Sequence, residues 1–226
     1  WLWVDAATKR MSFARVALGV IPLAGSAVYS FIGIIFVMHE LWAGILISIS
    51  LFAHGNGWRK LSLAAGIAAL FIRELALPFV AVMFFSSLAD RNRKDALAWL
   101  LGALAFISVM AVHASRVHAL TRSDANLHFA QWLALSGWDY VLATIHVQPF
   151  LFILPSWFTA VLAPLALLGF LAWRDALGKR VGLTIAAYIL IFLFVGRSNN
   201  AYWGLLYCNL LPLGLLYAPV ALSDIL

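Results

Sequence analysis

Residues 58–88, WRKLSLAAGIAALFIRELALPFVAVMFFSSL, form an almost unbroken apolar stretch with Arg73 and Glu74 side by side at its middle. An ionised side chain at a bilayer centre costs roughly 2.5–3.5 kcal/mol on insertion scales. Neighbours on one helix project about 100° apart, so a single partner cannot satisfy both. The stretch is therefore either one long helix with a buried ion pair or two short helices that meet at Arg73-Glu74 on a membrane surface. That choice sets the topology of the whole chain.

Working outward, 65% of the 226 residues are hydrophobic, 11% are charged, and the mean hydropathy is +0.98. A soluble domain of this size has no use for so much apolar surface. The expected class is all-α, a polytopic transmembrane helical bundle forming one membrane domain over 1–226. The single cysteine, Cys208, lies in an apolar run, which excludes an internal disulfide and a Cys-based zinc site. The net charge of +6 does not point to nucleic acid, because the basic residues sit in short clusters between apolar runs, as membrane anchors do. The chain opens on Trp1 with no signal-peptide pattern. We expect an internal piece whose upstream helices are missing.

Charge decides how the apolar runs cross. If 14–53 and 60–89 are each two passes, the cytoplasmic segments hold Lys9, Arg10, Arg15, Arg59, Lys60, Arg91, Arg93, Lys94, Arg174, Lys179 and Arg180. That is eleven of the fifteen Lys and Arg. Making 60–89 a single helix gives a near-even split with Arg73 buried. The first reading satisfies the rule that short cytoplasmic loops carry the basic excess. It predicts about eight helices, near 14–36, 40–53, 60–74, 75–89, 96–113, 151–173, 181–196 and 203–222, with an outer loop at 114–150 and both termini cytoplasmic. The expected location is the cytoplasmic membrane of a bacterial cell. Pro78 suits the first turn of a helix that begins just after Glu74.

Three stretches on the outer side carry the chemistry. His39-Glu40 opens the second helix, where an acid suits the helix dipole. HELWA is not HExxH, since Ala43 stands where the second His would be. The 114–150 loop holds Arg116, His118, Arg122, Asp124, His128, Trp132, Trp138, Asp139, Tyr140 and His146. It reads as two amphipathic helices lying in the interface. Its histidines have no repeated ligand spacing, so no metal site is expected. Finally, GRSNNAYWG (196–204) sets Arg197, Asn199, Asn200, Tyr202 and Trp203 on a tight connection. Arg suits bidentate phosphate contact, and amides with aromatic faces suit a sugar ring. The plain alternative is an Asn-Gly turn with an aromatic anchor at the bilayer surface.

With Glu40, Arg73-Glu74, the 114–150 loop and Arg197–Trp203 on one side, the chain resembles the GT-C superfamily of integral-membrane glycosyltransferases. The similar features are the acid in MHELWAG, the basic turn GNGWRK and the short helix AAGIAALFIREL with its polar pair. They continue with the basic turn DRNRKD and a long outer loop after the next pass. The resemblance covers about residues 13–150. It implies transfer of a sugar from a polyprenyl-phosphate donor to an acceptor hydroxyl, with no cofactor beyond that lipid-linked sugar. It also implies partners no wider than the bilayer and the lipid-linked sugar. By resemblance Glu40 is the catalytic acid–base candidate. Arg73, in place of the usual lysine, faces the lipid phosphate with Arg116 or Arg197. His39, Glu74, Asn199, Asn200, Tyr202 and Trp203 complete the expected substrate site. The family's principal acid lies in a first outer loop that has no counterpart here. A secondary transporter or lipid flippase, and a membrane scaffold without chemistry, are the other readings the sequence allows.

Overall fold

The computed structural model describes residues 1–120 and 135–226, and these are all-helical with no strand. Helices α1 (Leu2–Thr8), α2 (Phe13–Tyr29) and the short α3 (Gly33–Phe36) lead into α4 (His39–Gly55). Next come α5 (Arg59–Ile72), a 3₁₀ turn at Glu74–Ala76, α6 (Leu77–Ala89) and the long α7 (Arg93–Leu120). Beyond residue 134 follow α8 (Gly137–His146), α9 (Pro149–Phe152), α10 (Ser156–Ala172) and α11 (Ala176–Phe194). The chain closes with 3₁₀ segments Ser198–Leu206 and Leu211–Leu216 and with α12 (Ala218–Ser223).

The 58–88 stretch breaks where its charges sit. Helix α5 ends at Ile72, Arg73 adopts extended dihedrals (φ −146°, ψ 118°), and Pro78 occupies the first turn of α6. A proline there gives up no intrahelical hydrogen bond, whereas in the middle of a continuous helix it would remove one and clash with the preceding turn. Helices α4 and α5 form a hairpin through Asn56, Gly57 and Trp58. Gly57 supplies the turn's positive φ of 81°. Ser50 seals the hairpin by donating to the Ser62 carbonyl at 2.6 Å, inside an otherwise apolar contact.

The expected helix pattern is corrected in three places. The 203–222 run is not one helix: it is divided among two 3₁₀ segments and α12, with Pro212 and Gly214 inside the second segment. The outer loop does not begin at 114, because α7 continues through Leu120 and carries Arg116 and His118 on its exposed surface. Of the expected interfacial helices, α8 and α9 lie in the second half of the loop. The stretch with Arg122, Asp124, His128 and Trp132 lies outside the described residues. Finally, two described helices are long and apolar enough to cross a membrane, Arg93–His118 and Ala176–Phe194, against about eight expected. The other apolar helices run to 17 residues or fewer, and α5 ends at the Arg73 break.

Charged side chains gather at the two ends of the helices. Arg10 donates to the Gly55 carbonyl at 2.7 Å, Arg59 pairs with Asp95, and Arg180 pairs with Asp90. These contacts tie segments 9–15, 54–60, 89–95 and 174–180 into one polar rim. His54 belongs to it. Burial, with Arg180 and Arg59 adding repulsion, pushes its imidazole down to about 4, against a smaller opposing effect of Asp90. Glu40 lies fourteen residues earlier on the same helix, about 21 Å away at 1.5 Å per residue. Between the two ends the core is apolar and aromatic. Trp3 meets Phe52 edge-on, Trp173 stacks on Tyr217, and Tyr188 stacks on Tyr207.

The Ser198–Leu206 segment enters this core by backbone contact. A Cβ on Gly44 of α4 would stand 2.1 Å from the Leu205 carbonyl oxygen, and one on Gly204 would stand 1.7 Å from the Thr144 carbonyl oxygen of α8. Only hydrogen fits at either place. Forcing extra atoms into such a contact costs typically about 1–3 kcal/mol. Gly204→Ala is therefore expected to lower the midpoint of thermal unfolding clearly, whereas Gly33→Ala, with open space around its Cβ, leaves it in place.

Candidate functional site

At the end of the bundle opposite the basic rim, three chain segments meet around Arg73. Its Nε lies 2.9 Å from Oε1 of Glu40, and its Nη1 lies 3.1 Å from Oε1 of Glu74. Its guanidinium carbon stands 6.0 Å from the centre of the Trp203 ring, at the limit of cation–π reach. Local structure puts each charge where a helix end favours it. Glu40 is in the first turn of α4 and Glu74 opens the following 3₁₀ turn, both at positive dipole ends, and Arg73 caps the negative end of α5.

Burial grades the three. The Glu40 side chain is 6% exposed, Arg73 24% and Glu74 55%. A carboxylate as enclosed as Glu40 requires a counter-charge, and Arg73 supplies it. The Nε contact is close but poorly directed, so the Nε–H makes no proper hydrogen bond among the described residues. The pair is held by charge, and the guanidinium keeps donor capacity for an oxygen ligand.

The 196–204 connection is fixed beside the pair by a shell of hydroxyl-bearing and aromatic side chains. Tyr140 donates to the Asn200 carbonyl at 3.1 Å, Ser136 to the Gly196 carbonyl at 3.0 Å, and Tyr207 shares a hydrogen bond with Thr144 at 2.8 Å. Phe192 packs against Trp203, Tyr140 and Tyr207. Tyr188 reaches the Leu75 carbonyl at 3.0 Å, just past the helix break. Asn200 is buried, and its Nδ2 has no hydrogen-bond partner among the described residues.

Of the residues selected from sequence, the structure brings together Glu40, Arg73, Glu74 and Trp203, with Asn200 and half-buried Tyr202 on the same turn as Trp203. His39 and Asn199 are exposed, and Arg197 is half-buried at the start of the 3₁₀ segment. Arg116 lies exposed near the end of α7 and is not part of the group. None of the larger cavities among the described residues is lined by Glu40, Arg73 or Arg197. Sequence reasoning missed the supporting shell of Tyr188, Tyr207 and Phe192, which lie in apolar runs, and of Thr144 in the outer loop; none carries a signal of pairing. Comparison of the chain with protein-family models, with curated proteins and with solved structures finds no match.

Removing one member of a buried pair strands the other charge, at a typical cost of about 3–5 kcal/mol. Arg73→Ala should destabilise the purified protein by that order in a denaturant titration. Adding Glu40→Gln to it should recover most of the loss. Equal destabilisation in the single and double variants would place the cost elsewhere.

Proposed function

We propose that this chain is membrane-embedded and binds a polyprenyl-phosphate-linked sugar at the Arg73 end, as part of a GT-C-like glycosyltransferase. Support for embedding comes from α7. Its apolar window is only 17% buried, and Leu97, Leu101, Leu104, Ile107 and Val112 are all exposed. Such a surface calls for an apolar surround. In this reading the shorter helices α2, α4, α5, α6 and α10 are inserted too, giving with α7 and α11 a bundle of seven. At 13–17 residues they rise about 20–25 Å, less than the roughly 30 Å hydrocarbon core. Short helices are tolerated where neighbours or a water-filled funnel, rather than lipid, surround their ends. The basic rim is cytoplasmic by the positive-inside rule, which leaves the Arg73 end outside.

One observation carries the site: Arg73, at a helix break, touches Glu40 from 33 residues upstream and faces Trp203 from the far end of the chain. The donor phosphate, carrying its own negative charge, competes with Glu40 for Arg73 and offers the better-matched partner for the guanidinium fork. Glu40, once released, is a carboxylate able to take the proton of an acceptor hydroxyl. That hydroxyl oxygen bonds to the anomeric carbon as the bond from anomeric carbon to phosphate oxygen breaks. The electron pair leaves with the lipid phosphate, where Arg73 stabilises the charge. The Asn200 amide and the Trp203 and Tyr202 rings suit the sugar. Glu74, exposed beside Arg73, keeps the guanidinium oriented while Glu40 is free.

The probe is undecaprenyl phosphate, with undecaprenol as the uncharged control. Undecaprenyl phosphate is expected to raise the unfolding temperature of the purified protein, and undecaprenol is not. Arg73→Lys keeps the charge that neutralises Glu40 but loses the fork, so the lipid phosphate should bind roughly tenfold more weakly at similar lipid-free stability. Equal stabilisation by the alcohol, or full binding in Arg73→Lys, rejects the site.

A further inference from the structure

A cavity of about 780 Å³ runs between α6 and α11, from Pro78 to Asp90 on one helix and from Ala176 to Ile191 on the other. It lies apart from the Glu40–Arg73 pair and takes no part in the chemistry above. Along most of its length it is apolar, and Phe85, Leu183 and Leu190 on its walls are each more than half exposed. At the rim end its lining changes to Ser86, Asp90, Lys179 and Arg180.

That polar end has unspent hydrogen-bonding capacity. Arg180 is 3% exposed; it pairs with Asp90 and donates to the Ala176 carbonyl at 3.2 Å. Its Nε–H is buried without an acceptor among the described residues, and so is the hydroxyl of Ser86. A buried guanidinium N–H left unpaired is costly, and an anionic oxygen is its best acceptor. Charge points the same way. Lys179 and Arg180 outweigh Asp90 by one, and the turn after α6 adds Arg91, Arg93 and Lys94, while Asp95 is taken by Arg59. The apolar part has the length for a lipid tail. Helix α6 rises about 20 Å over its 13 residues, more than the roughly 15 Å of one leaflet's hydrocarbon.

We propose that this groove holds one acyl chain of an anionic phospholipid, with its phosphate set between Lys179, Arg180 and Ser86. The lipid belongs to the leaflet at the basic rim and acts as a structural ligand that completes the partnering of Arg180. The inference rests on the membrane-embedded reading and is independent of sugar transfer.

The test is the thermal unfolding of the purified full chain in neutral detergent, titrated in parallel with phosphatidylglycerol, phosphatidylcholine, inorganic phosphate and undecaprenyl phosphate. Phosphatidylglycerol should raise the unfolding temperature, while phosphatidylcholine and free phosphate do not. Lys179→Gln, at an exposed position, should weaken the phosphatidylglycerol effect roughly fivefold with an unchanged lipid-free midpoint. Ala186→Trp, which fills the groove from an exposed helix position, should weaken it as well. Arg73→Lys should keep the phosphatidylglycerol response while losing that to undecaprenyl phosphate, so this site and the proposed donor site fail separately. Equal shifts from both phospholipids reject a headgroup site. A shift from inorganic phosphate alone rejects the lipid. Loss of the undecaprenyl phosphate response in Lys179→Gln would assign the groove to the donor instead.

Discussion

The Glu40–Arg73 ion pair is the constraint on which the rest of this structure depends. A carboxylate that is 6% exposed has to be neutralised, and Arg73 reaches it from the extended residue at which α5 ends. Once α5 ends there, α6 must restart, and Pro78 makes the restart inexpensive. The α4–α5 hairpin then runs from the pair to the basic rim and back, with Ser50 bonded to Ser62 near the turn. Helix ends reinforce the arrangement. Both acids lie at positive dipole ends and the arginine at a negative one, so the pair and the helix termini favour the same geometry.

The same polar groups can be read as stability devices. A buried pair often contributes little beyond what packed apolar side chains would, and its retention marks specificity or function in some proteins and not in others. Here the case for function comes from the rest of the neighbourhood. Arg73 keeps an undirected Nε–H, Asn200 keeps an unpaired amide, and a tyrosine shell fixes the 196–204 connection against them.

Much of this was legible in the sequence, and the illegible part has identifiable causes. The break at Arg73-Glu74 could be read because adjacent charges and a nearby proline are incompatible with one apolar helix. The α4–α5 turn could be read from Asn56-Gly57, and the basic rim from charge spacing. The partner of Arg73 could not. Sequence placed Glu40 on the same side, but pairing across 33 residues is a tertiary fact with no local signature. The 203–222 run misled for a related reason. Its apolar composition suits a spanning helix, yet Gly204 and Gly214 are used for backbone contacts with α8 and α10, and those contacts override helix propensity. Helix α7 extended past its expected end because exposed Arg116 and His118 disfavour burial, not helix formation.

The central claim is that the two charged ends of this bundle face opposite sides of a membrane, with the Glu40–Arg73 pair outside and the Arg59–Asp95 and Arg180–Asp90 rim inside. Labelling tests it most directly. In a Cys208→Ala background, His39→Cys and Lys94→Cys each place a thiol at an exposed position, one at each end. A membrane-impermeant maleimide applied to intact cells should label His39→Cys, and should reach Lys94→Cys only after permeabilisation. Labelling of Lys94→Cys from outside, or equal labelling of both, would contradict the account.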